Sequence, residues 1–208
     1  MMKLYGALPT RALRVIWLLN ELGISYEMLP VDILKGETKG QELRALNPAA
    51  KVPVLVDGNV VLTESAAIQL YLAEKNPQAG FIPASVEDRA QMYRWIFFLV
   101  TEIEQPLWRI ARNMVLYPKE KRLPQDIALA KQECKDMVSV LERHMEKREF
   151  IVGDRLSVAD FNAAYTLDWA NEVKMLVDAP RLREYLKSMY ARPTAPPTIA
   201  MALAAAKG

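Results

Sequence analysis

Strand-forming runs in this 208-residue chain end near residue 62, and beyond residue 84 every patterned stretch repeats at helical spacing. The chain must therefore fold as two parts built on different rules. In the first part, the run Lys3 to Gly6 reads as a strand, Ala12 to Leu22 as a helix stopped by Gly23, and Tyr26 to Val31 as a second strand. That βαβ order predicts a parallel pair joined by a right-handed crossover. Val54-Leu55-Val56 and Val60-Val61-Leu62 flank Asp57-Gly58-Asn59, a sequence suited to the positive φ angles of a tight hairpin. Glu64 to Lys75 then carries Ala66, Ala67, Leu70 and Tyr71 at helical spacing until Asn76-Pro77 ends it. The expected order is βαβ followed by ββα.

The second part is expected to be all helical. Glu87 to Leu116 places Trp95, Ile96, Leu99, Ile103, Leu107 and Ile110 on one broad face, and Pro106 predicts a kink there. Ile127 to Arg148 carries Ala130, Cys134, Met137, Val138, Leu141 and Met145 three or four residues apart. Cys134 reads as core packing. His144 reads as structural, near a helix end where its charged form would favour the last carbonyls. Leu156-Ser157-Val158-Ala159-Asp160-Phe161 reads as a helix start, with Ser157 and Asp160 in a reciprocal capping box and Leu156 stapled against Phe161. Loss of Asp160 is expected to destabilise the fold by about 1 kcal/mol or more.

Composition excludes several classes. With 27 basic against 25 acidic side chains and 51% hydrophobic residues, the chain can bury a core and carries little net charge. The densest basic cluster, Lys119-Glu120-Lys121-Arg122, reads as a solvated helix start or loop, so no nucleic-acid partner is expected. Cys134 and His144 are the only residues of their kinds, which removes disulfide frameworks, zinc clusters and triads needing a second histidine. No metal is expected. The apolar run from Ile199 to Ala206 is far short of the roughly 18 residues that span a bilayer, so no membrane partner is expected. The opening Met1-Met2-Lys3-Leu4-Tyr5 lacks a secretory pattern, which predicts a cytoplasmic protein.

Three segments stand where a strand or loop meets a helix: Leu8-Pro9-Thr10-Arg11-Ala12-Leu13-Arg14-Val15, Asn47-Pro48-Ala49-Ala50-Lys51-Val52-Pro53, and Thr63-Glu64-Ser65-Ala66-Ala67-Ile68. With the capping box they form four separated signals in order, and together they closely resemble the glutathione transferase superfamily, cytosolic and bacterial-like, over nearly the whole chain. The resemblance implies an α/β thioredoxin-like N-terminal domain over residues 1–77. It also implies an all-α C-terminal helical bundle over residues 84–208 that walls the pocket of the second substrate.

The same resemblance implies site roles. Val52-Pro53 matches a cis-proline loop whose preceding residue offers its backbone N–H and C=O to the cysteinyl part of glutathione, the co-substrate. Ser65 would receive the γ-glutamyl carboxylate at a helix start, where a helix dipole favours an anion. Glu64 would meet the ligand's ammonium group. Lys51, or failing it Lys39, would meet the glycyl carboxylate. Thr10 occupies the place of the activating hydroxyl in serine-type members, four residues before Arg14, which reads as structural. Its extra methyl departs from serine and restricts the rotamers. Tyr5 is out of register with the tyrosine-type active residue and reads as a strand side chain. Leu8, Pro9, Trp108 and Arg112 are the expected lining of the electrophile pocket.

Three functions follow from these residues. The first is conjugation of glutathione to small hydrophobic electrophiles through a stabilised thiolate. The second is glutathione-dependent disulfide reduction or peroxidase chemistry, although bacterial threonine members of that type follow the threonine with proline and asparagine where this chain has Arg11 and Ala12. The third is a non-catalytic glutathione-binding scaffold. The resemblance also implies a homodimer and a role in detoxification.

Overall fold

The computed structural model describes residues 1–205. Strand β1 (Met2–Gly6) alternates buried and exposed side chains, with Met2, Leu4 and Gly6 inward, as a strand covered on one face must. It pairs in parallel with β2 (Tyr26–Pro30) and antiparallel with β3 (Val54–Asp57), which pairs in turn with β4 (Val60–Leu62). The sheet order is β2-β1-β3-β4. Asp57 opposite Val60 leaves Gly58 and Asn59 as a two-residue turn, with Gly58 at φ 59°. Helix α1 (Ala12–Glu21) buries Leu13, Val15, Trp17, Leu18 and Leu19. At Gly6 an added Cβ would lie 2.8 Å from Ala12 Cβ, so β1 can pass this close to the start of α1 only without a side chain.

The βαβ–ββα expectation holds for these elements and omits one. Between β2 and β3 runs the short helix α2 (Gln41–Leu46), preceded by a 3₁₀ turn over Glu37–Lys39. Six residues with only Leu43 buried show no helical period in the sequence. Leu43 packs with Val31 and Val54, beside Tyr5, Leu46 and Val52, and tertiary burial stabilises a helix that propensity alone would not. Helix α3 (Ser65–Lys75) closes this part. Its far end is pinned to the hairpin, where Tyr71 Oη donates to Asp57 at 2.8 Å and Lys75 pairs with the same carboxylate.

The described residues divide into two compact units, Met1–Ile82 together with 192–205, and Pro83–Ala191. The closing segment, including α9 (Ile199–Ala205), belongs with the first unit because Arg192 and Thr194 both bond the Glu21 carboxylate and Asn20 reaches the Thr194 carbonyl.

The second unit contains α4 (Val86–Phe98), α5 (Glu104–Ala111), α6 (Pro124–Met145), α7 (Val158–Glu172) and α8 (Pro180–Tyr190). Between α4 and α5 lies one π-type turn, Leu99–Ile103, just ahead of Pro106. A proline clashes with the carbonyl four residues back and supplies no N–H, so the α-helical ladder yields on its N-terminal side. A second π turn spans Arg112–Leu116. Helix α7 is buried from Val158 through Asp168. No described helix is long and apolar enough to cross a membrane.

Candidate functional site

The pairing of Tyr5 with Val54 fixes the site's first half, because it brings the loop after β1 and the loop before β3 to the same end of the sheet. In the first loop the Leu8–Pro9 peptide is cis, Leu8 is exposed and Pro9 is half-buried. Thr10 follows, half-buried at the entry to α1. Its hydroxyl donates to the Ala7 carbonyl at 2.5 Å and accepts the Ala12 N–H at 3.2 Å, while its carbonyl accepts the Leu13 N–H. The hydroxyl thus ties the loop to the first turn of α1. Tyr5 lies in β1 with its hydroxyl on Glu42 at 3.0 Å, as a strand side chain would.

The second loop is organised by Asn47, which the sequence reading quoted but gave no role. Its side chain donates to the Lys51 carbonyl at 2.9 Å and accepts the Ala49 N–H at 3.1 Å, and Ala50 turns through φ 53°. An Asn bonding its own backbone two and four residues on is a turn-forming device. It delivers the chain to a cis Val52–Pro53 peptide. Pro53 is buried, and the Val52 side chain leans on the cluster of Val31, Leu43 and Val54. Among the described residues no group hydrogen-bonds the Val52 N–H or C=O. Lys51 is exposed beside it, and Lys39 is exposed on the turn before α2.

The start of α3 supplies the third piece. Glu64 is exposed and holds φ 63°, ψ 105°, a backbone region uncommon for a residue with a side chain, and it gives the helix no side-chain cap. The first N–H groups of α3 are therefore left for another acceptor. Ser65 is buried, and its oxygen accepts both Arg14 Nε at 2.9 Å and Arg14 Nη2 at 2.8 Å. The Gln69 amide donates to the Arg14 carbonyl at 2.8 Å, a second tie between α1 and α3. Arg14 is 2% exposed. Its sequence signal was available: a charged residue between Leu13 and Val15 on an apolar helix is rarely buried without a task.

The remaining candidates lie in the second unit. Trp108 is on α5, and Arg112 opens the π turn one helical turn later. The Arg112 guanidinium sits 6.0 Å from the Trp108 ring and 5.6 Å from the Tyr117 ring, and its Nε is buried with no hydrogen-bond partner. Asn113 and Arg109, both bonded to Asp126, hold this turn; Asn113 Nδ2 meets Asp126 at 2.8 Å and Asn113 Oδ1 accepts the Leu123 N–H at 2.9 Å.

Three other side chains carry structure. Burial pushes the Cys134 thiol up to about 12, so no thiolate forms there at neutral pH. His144 stacks on Trp95 at 4.0 Å between ring centres and shares a 2.8 Å hydrogen bond with the Ile151 carbonyl. Burial lowers its pKa, with the Ile151 hydrogen bond opposing and Arg148 and Arg94 adding to the effect, which disfavours the charged form at this helix end. The Ser157–Asp160 capping box is present. The Asp160 carboxylate accepts the N–H groups of Ser157 and Ile151 and the hydroxyls of Ser157 and Tyr185, at 2.8 to 2.9 Å.

The chain is similar to known proteins in sequence and fold. The chain matches the family models described as glutathione S-transferase, N-terminal domain, over residues 1–74, and glutathione S-transferase, C-terminal domain, over residues 124–188. Glutathione S-transferase F9 of Arabidopsis thaliana is 31% identical over 211 residues, covering 96% of each chain. Glutathione S-transferase F10 of the same plant is 33% identical over 162 residues, covering 76% of this chain and 75% of its own. Among solved structures, a glutathione S-transferase from Xylella fastidiosa superposes with a TM-score of 0.82 at 28% identity, covering 99% of this chain and 98% of the other. A glutathione S-transferase-I bound with lactoylglutathione gives 0.79 at 27% identity, over 93% of this chain and 96% of the other. Sequence, family models and fold agree, and the chain belongs to the glutathione S-transferase family as a glutathione transferase.

Proposed function

We propose that this enzyme conjugates glutathione to small hydrophobic electrophiles by stabilising the thiolate. The observation that carries the reading is a set of polar groups in the first unit with no partner among the described residues: the Val52 N–H and C=O, the open first turn of α3, and the proton of the buried Ser65 hydroxyl. A peptide strand laid against Val52 would satisfy the first pair. A carboxylate at Ser65 would satisfy the others. Glu64 would meet the ligand's ammonium group, and Lys51, or failing it Lys39, the glycyl carboxylate.

Thr10 would donate to the sulfur and act as neither base nor nucleophile. A free thiol with a pKa near 8.5 that drops to about 6.5 raises its thiolate fraction at pH 7 from roughly 3% to roughly 75%. Falling basicity returns about 6- to 10-fold of that gain through a Brønsted slope of about 0.4 to 0.5, leaving a net factor of only about three or four. Most of the acceleration must therefore come from holding the electrophile beside the sulfur. Arg112, with an unpaired buried Nε, favours electrophiles bearing a carboxylate or a developing negative charge.

Because the Thr10 hydroxyl already donates to Ala7, donation to sulfur exchanges one hydrogen bond for another. Thr10→Ala is expected to lower kcat/KM for conjugation of an aromatic halide by about 10-fold or less. Unchanged rates would remove the hydroxyl assignment. Running reduction of a small glutathione-linked disulfide in parallel separates the reductase reading, and glutathione binding without either reaction would indicate the scaffold. The protein is also proposed to be a homodimer; sedimentation of a stable monomer at micromolar concentration would refute that.

A further inference from the structure

We propose that Arg14 is a positioning residue of the glutathione site, holding the Ser65 hydroxyl as an obligate hydrogen-bond donor toward the ligand's γ-glutamyl carboxylate. The inference rests on the reading that Ser65 receives this carboxylate. A serine hydroxyl has two acceptor lone pairs and one proton. Arg14 Nε and Nη2 fill both acceptor positions at 2.9 and 2.8 Å. With both filled, the oxygen can only donate its proton elsewhere, and among the described residues no group accepts it. The two-pronged contact fixes the oxygen as well as its role, because the planar guanidinium offers its N–H groups at a set angle.

Charge acts in the same direction. A carboxylate oxygen accepting from Ser65 would lie roughly 4 to 5 Å from the cationic guanidinium behind it. Both side chains are 2% exposed, so this attraction is weakly screened. The Gln69 amide on the Arg14 carbonyl holds the α1 backbone in register with α3. A neutral group in place of the carboxylate gains none of this, so the pair makes the site selective for the charged end of the tripeptide.

The test is a ratio. Calorimetry on the full chain compares glutathione with its analogue lacking the α-carboxylate, 4-aminobutyryl-cysteinyl-glycine, for the wild type, Arg14→Lys and Arg14→Gln. Wild type is expected to prefer glutathione by about 10-fold or more. Lysine keeps the charge but not the paired N–H groups, and glutamine keeps one donor without charge, so in both variants the preference falls at least about threefold while affinity for the analogue changes less than about twofold. A merely structural Arg14 would weaken both ligands alike. Folded variants that keep the wild-type preference would overturn the proposal and leave the glutathione reading intact, whereas wild type that binds neither tripeptide would overturn the functional reading itself. Equal affinity of wild type for both would remove the Ser65 assignment and this role together. Should neither variant fold, a glutathione-bound wild-type structure decides. Ser65 Oγ between Arg14 and the carboxylate is expected; Arg14 turned away from Ser65 to bind the ligand directly would contradict it.

Discussion

Helix α3 starts on Ser65 and α7 directly after Ser157, and the two starts are finished in opposite ways. At α7 the Asp160 carboxylate takes four protein donors, and Tyr185 and the Ile151 N–H come from outside the helix to reach it. Burial pushes the Asp160 pKa up, and those donors pull it back. Nothing is left over for a ligand. At α3 no side chain caps the helix, the residue ahead of it sits at φ 63°, and among the described residues no group accepts the Ser65 proton. The saturated start is a folding device and, under the proposed function, the open one would be a binding device, although the sequence writes both with a serine at or beside a helix N-terminus.

Breaking the saturated end should have the largest effect. Asp160→Ala strands two buried N–H groups and the Ser157 hydroxyl, Tyr185 keeping the Asp160 carbonyl, and at about 1 kcal/mol or more for each unsatisfied group the fold should lose about 3 kcal/mol or more. Denaturant unfolding measures this; a loss under 1 kcal/mol would mean that water replaces the carboxylate. Breaking the open end should act on binding instead. Ser65→Ala is expected to weaken glutathione binding by about 10-fold or more, while costing about 1 to 2 kcal/mol of stability because two Arg14 N–H groups lose their acceptor. A Ser65→Ala protein with wild-type affinity would erase the contrast.

The smallest effect sharpens it. Helix α3 is held at its far end, where Lys75 first and Tyr71 second keep the Asp57 carboxyl below the usual carboxylate range. A folded pKa below the unfolded value of about 3.9 adds stability that is present above that value and lost as pH falls through the lower folded one. Lys75 is half exposed, so the contribution is modest. Asp57→Asn should therefore flatten the acid limb of the stability profile below about pH 4 and leave neutral glutathione affinity unchanged. An unchanged acid limb would show that the pin carries no energy.

Much of this was legible from the chain. The Asp57-Gly58-Asn59 turn and the Leu156-to-Phe161 capping box are local: a few adjacent residues dictate them, and the structure reproduces both. Long amphipathic stretches such as Pro124–Met145 are legible for the same reason. What stayed hidden depends on partners distant in sequence. Helix α2 is short and owes its place to Leu43 packing against β3. The return of the chain after Arg192 depends on Glu21, more than 170 residues earlier. The Thr10 position was readable, but not the turn of its hydroxyl toward Ala7. Arg14 was visible as a charge on an apolar helix, yet its use appears only when Ser65, 51 residues on, is brought against it.

The most direct test of the account follows backbone amide resonances of the full chain during a glutathione titration. The account predicts that the amides of Val52, Ser65 and Ala66 shift together and saturate below millimolar glutathione, while those of Ser157 and Asp160 stay in place. Val52 and Ser65 unmoved at millimolar glutathione, in folded protein, would contradict it.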